Sequence, residues 1–175
     1  MEILNHESLV RTIGNATAEV FTTMLGVEVE EQPYRLEEGG SQPLDGVISL
    51  IGLAGPWTGA GRISCSAALA CRLSSALLAT EYAAVNEDVL DAMAEITNMI
   101  IGNVKSTLED QLGPMGLSIP TVVYGRNYQA RSSGVKQWVV VPFHCSAELI
   151  EVRLALMPSG KTDQVKHFAL ADALS

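Results

Sequence analysis

One stretch, NEDVLDAMAEITNMIIGNVKSTLED, holds the side chains whose type and spacing could do chemistry. Glu95 and Asn98 stand three residues apart. Asp91 precedes them by one turn, Gly102 follows by one turn, and Lys105 lies beyond. Side chains three or four apart on a helix are neighbours, so Glu95 and Asn98 can act on one object. A carboxylate pairs with a cation. A neutral amide both donates to and accepts from water without adding charge. Glycine inside a helix costs about 1 kcal/mol relative to alanine. On an exposed face it lets another backbone or side chain approach closely.

A helix must place these residues. At about 100° per residue, with Val89 as zero, Met93, Ile96, Ile100 and Val104 fall within roughly 60° and form a buried stripe. Asp91, Glu95, Asn98, Gly102, Lys105 and Glu109 fall at roughly 160–240°, which predicts one continuous exposed stripe. Charged helix faces are by default merely solvated. The functional alternative is a helix that docks on a partner and presents a carboxylate and an amide.

The remaining elements supply the frame. Residues 8–25 read as an amphipathic helix, with Ser8 as N-cap and Gly26 at the C-terminal stop. Residues 28–46 read as a short strand and then a loop. Residues 46–54 and 60–66 form a hairpin about the breakers Gly55, Pro56 and Gly59. Residues 67–80 and 86–112 are helices, and 118–124, 135–143 and 147–156 are strands. The order α-β-β-α-α-β-β-β predicts an α+β fold, a mostly antiparallel β-sheet packed against helices. A helix followed by strands occurs twice, which leaves room for an internal pseudo-repeat. We expect one domain over 1–157 and a C-terminal extension over 158–175, in which Val165, Phe168, Ala169 and Leu170 could form a short docking helix.

Composition narrows the function. The 175 residues are 47 % hydrophobic and 18 % charged, with a formal net charge of −9. Such a chain is not intrinsically disordered, and it lacks the basic face that nucleic acid or an anionic membrane needs. Residues 28–110 hold thirteen acidic and four basic side chains, and the rest balance. Three cysteines without regular spacing give no disulfide framework. With neither a signal-peptide pattern nor a long apolar run, a cytoplasmic location is expected.

Other constellations carry less. His144 and Cys145 are strand neighbours that point to opposite faces, and His6 and His167 lie near the termini, so no metal site is expected on this chain. GAGR at 59–62 reads as turn chemistry and lacks the ending of a phosphate-binding loop. Asn103 falls beside the buried stripe, where a hydrogen bond to a neighbouring element is its expected role. Trp57 reads as a loop contact and Trp138 as a sheet-core residue.

Asp91-x-x-x-Glu95-x-x-Asn98, continued as Met99-Ile100-x-Gly102-Asn103-x-Lys105, resembles the signature of the CheC/CheX/FliY family of chemotaxis phosphatases, most of all its CheX branch. Pro120 in SIPTVVYGR fits the family's downstream proline. ATAEVFTTMLG (16–26) and GLAGPWTGAGRISCS (52–66) are CheX-like as well, so the resemblance covers about residues 8–157. It implies a phosphatase that hydrolyses the aspartyl phosphate of a CheY-like response-regulator receiver domain. It further implies that Asn98 orients the attacking water and that Glu95 pairs with the receiver's lysine. Gly102 would permit close approach, and Asp91 and Lys105 would sit on the rim. No cofactor is bound by this chain; Mg2+ is expected on the receiver. A homodimer joined through strands of the sheet is also implied, with the 46–66 hairpin and VKQWVVVPF as candidate edges. The alternative reading is a non-catalytic docking module of the same fold, binding a receiver, a flagellar switch component or a signalling enzyme.

Overall fold

The computed structural model describes residues 4–39, 44–129, 134 and 137–160. The expected helix around Val165–Leu170, and His167, lie outside them.

Helix α1 (His6–Val20) ends in a π turn over Phe21–Leu25. Asn5 caps it by accepting from the Ser8 amide at 2.7 Å. Ser8 is therefore not the cap: it sits within the first turn, and its amide is a donor that the cap satisfies. Gly26 does stop the helix, in the left-handed conformation at φ +62°. Helix α2 (Ala67–Leu78) is capped by Ser66, and α3 (Glu87–Leu112) by Asn86.

The strands are β1 (Glu30–Glu31), β2 (Arg35–Glu38), β3 (Leu44–Ala54), β4 (Trp57–Cys65), β5 (Gly116–Leu117), β6 (Thr121–Tyr128), β7 (Gln137–Cys145) and β8 (Glu148–Pro158). All pairings are antiparallel, and the sheet runs β1-β7-β8-β4-β3-β5, with β2 also on β7 and β6 also on β3. The fold is thus the expected α+β class. The expected short strand after α1 is present as β1, the loop expected after it carries the further strand β2, and β5 is an addition.

A two-fold pattern runs through these pairings. A helix, two short-to-medium strands and a hairpin occur twice: α1-β1-β2-β3-β4 and α3-β5-β6-β7-β8. Each unit lays its first two strands on the other unit's hairpin, and β4 meets β8 at the centre. The conceivable pseudo-repeat is real at the level of topology.

Two expectations change here. Gly59 belongs to β4, paired with Leu53 and Leu156, and the turn is confined to Gly55-Pro56. GAGR is strand, not turn. The hairpin and the Trp138 strand both lie inside the sheet: β3 is bonded by β4 and β6, and β7 by β8 and β2. Neither offers a free edge. Among the described residues, the open edges are the β5/β6 side and the β1/β2 side.

The core lies between the helices and one sheet face. Ile13, Phe21, Ile63, Leu69, Met93, Ile96, Phe143 and Leu154 are buried there. Trp138 packs with Val140 and Ala155 on the other face. Helix α3 sits close on β4 because Gly61 has no side chain; a Cβ there would come within 2.8 Å of Ile101 Cδ1.

Candidate active site

Helix α3 carries the site, and its sequence explains its rigidity. The Asn86 side chain accepts from the Val89 amide at 3.0 Å. Glu87 and Asp88 occupy the first turn, where negative charge complements the helix dipole. Val89, Met93, Ile96, Ile100 and Val104 are fully buried, as the periodicity predicts. Ile101, Leu108 and Thr97 widen that arc. Thr97 donates to the Met93 carbonyl at 2.8 Å, so its buried hydroxyl is satisfied within the helix.

Asp91, Glu95 and Asn98 are all exposed on the opposite side. With Ala94 they form one wall of a shallow open cleft of about 290 Å³. Ser118, Ile119 and Pro120 form the other wall. Among the described residues, no side-chain hydrogen bond or ion pair engages Asp91, Glu95 or Asn98. Their polar atoms are available to a visitor.

The second wall is pinned to β3. The Ser118 amide donates to the Gly52 carbonyl at 2.9 Å. Its hydroxyl accepts from the Gly52 amide at 2.8 Å and reaches the Ile119 carbonyl at 3.2 Å. Residues 118–120 are a connector, and β6 begins only at Thr121. Sequence reasoning placed Ser118 and Ile119 in a strand and missed them as a wall. The available signal was Pro120, which removes a ladder donor and marks the edge of a strand.

Gly102 and Lys105 do not line the cleft. Gly102 is half-buried, and a Cβ on it would make only an ordinary 3.8 Å contact with Leu117 Cδ1. Lys105 donates to Glu109 at 2.7 Å, with its side chain 21 % exposed. Glu109 also accepts from the Met115 amide at 2.9 Å. The Lys105 bond first, and the Met115 amide second, hold the Glu109 carboxyl below its ordinary range. The expected continuous exposed stripe therefore ends near Gly102. The chain turns at Gly113-Pro114 and runs back along α3, and this return folds Lys105 and Glu109 into the turn.

Asn103 does not play its expected part. It is exposed, and its side chain makes no hydrogen bond among the described residues. It lines a groove with Arg11, Asn15 and Glu19 of α1. His144 and Cys145 do point apart, one exposed and one buried. Among the described residues, no three His, Cys, Asp or Glu side chains are placed to share a metal ion. All three cysteines are free and buried, and burial pushes the Cys65 thiol up to about 12. No helix among the described residues is long and apolar enough to cross a membrane.

The chemistry on offer is limited and specific. The cleft is too open to enclose a small molecule, since small-ligand sites usually bury most of their ligand. It suits a reacting group delivered on the surface of another macromolecule. That group would meet an amide able to hold a water and a carboxylate able to hold a cation.

Comparison with known proteins bears on the same segment. The family model described as "Chemotaxis phosphatase CheX" matches residues 47–144. The CheY-P phosphatase CheX of Thermotoga maritima is 32 % identical over 90 residues, which is 51 % of this chain and 58 % of that protein. The match thus spans little more than half of the relative's length. The crystal structure of chemotaxis protein CheX from Vibrio vulnificus superposes with TM-score 0.76 at 24 % identity, covering 86 % of this chain and 99 % of the other. The CheX–CheY–BeF3–Mg2+ complex from Borrelia burgdorferi matches with TM-score 0.68 at 25 % identity, covering 85 % and 97 %.

Proposed function

The chain belongs to the CheX family of chemotaxis phosphatases, and from that premise we propose that it hydrolyses the aspartyl phosphate of a CheY-like receiver domain. One observation carries the reading. Glu95 and Asn98 stand side by side and exposed, without a side-chain partner among the described residues, on a helix whose opposite face is fixed in the core.

Phosphoryl transfer passes through a loose transition state, so catalysis is mainly positioning and charge stabilisation. The receiver brings its own phosphoryl-binding groups, with Mg2+ among them. What it lacks is a fixed water in line with the bond that breaks. Asn98 supplies that fix. Its amide can donate to and accept from one water, and it adds no negative charge beside the phosphoryl oxygens.

Glu95 would repel a phosphoryl group at close range, and the family resemblance implies that it pairs with the receiver's lysine instead. That ion pair sets the register in which Asn98 meets the water. Asp91 lies one turn further along the same wall, where a charge tunes encounter rate more than affinity. Gly102 and Lys105 stand outside the cleft, and we assign Lys105 a structural part. The local excess of acidic residues speaks against a general attraction to an acidic pocket, so selection rests on the specific Glu95 pair.

A homodimer paired through the sheet remains our reading of the assembly. The open edges at β6 and β2 are where such pairing is available. A monomeric mass at micromolar concentration in solution scattering would sink it.

Phosphate release from a phosphorylated CheY-like receiver tests the activity. Release faster than the receiver's own decay is expected. Binding without faster release would instead establish a non-catalytic docking module.

A further inference from the structure

Ile119 is 90 % exposed. It is the most exposed of the large apolar side chains among the described residues, and it stands on the cleft wall that faces Glu95 and Asn98. The apolar residues nearest it in sequence do not share this exposure: Leu117 and Pro120 are half-buried. Single exposed apolar residues are common and need no account. This one differs in its mounting. Three hydrogen bonds through Ser118 fasten the backbone beside it to Gly52 and to its own carbonyl. A β-branched side chain on a pinned backbone has little freedom left to lose. Binding through it therefore pays little ordering entropy.

Position decides what could cover it. A body that seats a reacting group in this cleft lies beside residues 118–120, and Ile119 is the exposed apolar side chain of that wall. Apolar exposure continues along β6, where Tyr124 is 48 % exposed and lies opposite Val47, on the sheet face that carries α3. The polar stripe Asp91–Glu95–Asn98 thus runs beside an apolar rim.

We propose that Ile119 is the apolar anchor by which this face grips the receiver domain, complementing the Glu95 ion pair. The partner surface beside the phosphorylation pocket must then carry an apolar patch that accepts an isoleucine. This inference rests on the function proposed above. Division of labour follows from the placement. Ile119 secures docking, Glu95 sets register, and Asn98 acts on the water.

The test uses the full chain and a CheY-like receiver, either phosphorylated or loaded with beryllofluoride and Mg2+. Burying an isoleucine side chain corresponds to roughly tenfold to a hundredfold in affinity. Ile119→Ser should raise KM, and the Kd for the loaded receiver, by about tenfold or more, while kcat falls no more than about threefold. Ile119→Leu should restore both to within about threefold of wild type, because the anchor is apolar bulk. Unchanged KM and Kd in Ile119→Ser would overturn the inference while leaving the phosphatase reading intact. If wild type neither binds the loaded receiver nor speeds phosphate release, the phosphatase reading fails and this inference with it. Two readouts identify a wrong occupant. A drop of several degrees in the Tm of Ile119→Ser means the chain's own segments cover it. A loss of self-association with unchanged KM means a second copy does. Either overturns the proposal.

Discussion

Lys105 and Glu109 form an i,i+4 ion pair at 2.7 Å, and the same Glu109 oxygen accepts the Met115 amide at 2.9 Å. The pair ties the end of α3 to the segment that returns beside it. That segment leads directly into Ser118 and Ile119.

The first prediction is that Glu109→Gln lowers Tm and that the effect depends on pH. The folded-state pKa of Glu109 is depressed. Its contribution is therefore present above the unfolded carboxyl value of about 4.3 and is lost as pH falls through the folded value. The Tm difference between wild type and Glu109→Gln should be clear at pH 7 and should shrink steadily below about pH 4. A difference that stays constant across that range would show that the ion pair is not its source.

Asn98→Ala should cut phosphatase turnover by on the order of 100-fold, the cost of a misplaced reacting group, and leave receiver binding almost unchanged. Glu95→Ala should weaken both binding and turnover, because it removes the pair that sets register. Measuring kcat and KM separately with a phosphorylated receiver checks both. Wild-type turnover in Asn98→Ala would refute the water-positioning role.

Gly102→Ala separates stability from docking. A Cβ there meets only Leu117 Cδ1 at 3.8 Å, so the folded chain accommodates it. Replacing a mid-helix glycine should add about 0.5–1 kcal/mol of stability, or roughly 1–4 °C in Tm. If close approach by the receiver needs the bare backbone, KM rises in the same variant. A rise in Tm with an unchanged KM would leave Gly102 without a part in docking.

The thiols should be inert in the native protein. Cys65, Cys71 and Cys145 are buried, and burial raises the pKa of each. The thiolate is the reactive form. A disulfide-exchange reagent at pH 8 should label almost no thiol until denaturant is added, and then three. Rapid labelling of the native chain would contradict the burial.

Much of the site was legible in the sequence because a helix carries it. Once Val89, Met93, Ile96 and Ile100 are recognised as one stripe, the position of Glu95 and Asn98 around the axis follows from 3.6 residues per turn. The helix stop at Gly26 was readable because its chemistry is local, whereas the Ser66 cap of α2 was not read from the sequence. The α1 cap was misread as Ser8 because Asn5 and Ser8 are both good capping types, and only the bond between them identifies the acceptor.

What the sequence by itself determined is the direction each α3 side chain takes, and with it the pairing of a carboxylate with an amide. What only the tertiary structure decided is which part of that polar stripe stays open. Lys105 and Glu109 have the same helical phase as Asn98, but the returning chain donates its Met115 amide to Glu109, which in turn holds Lys105, so both are engaged and half-buried. Ile119 reads as a strand residue, but the bonds to Gly52, sixty-six residues from Ser118, hold it out as a wall. Periodicity is a short-range property, fixed by the helix itself. Coverage is set by contacts between segments far apart in the chain, and no local pattern encodes where those segments meet.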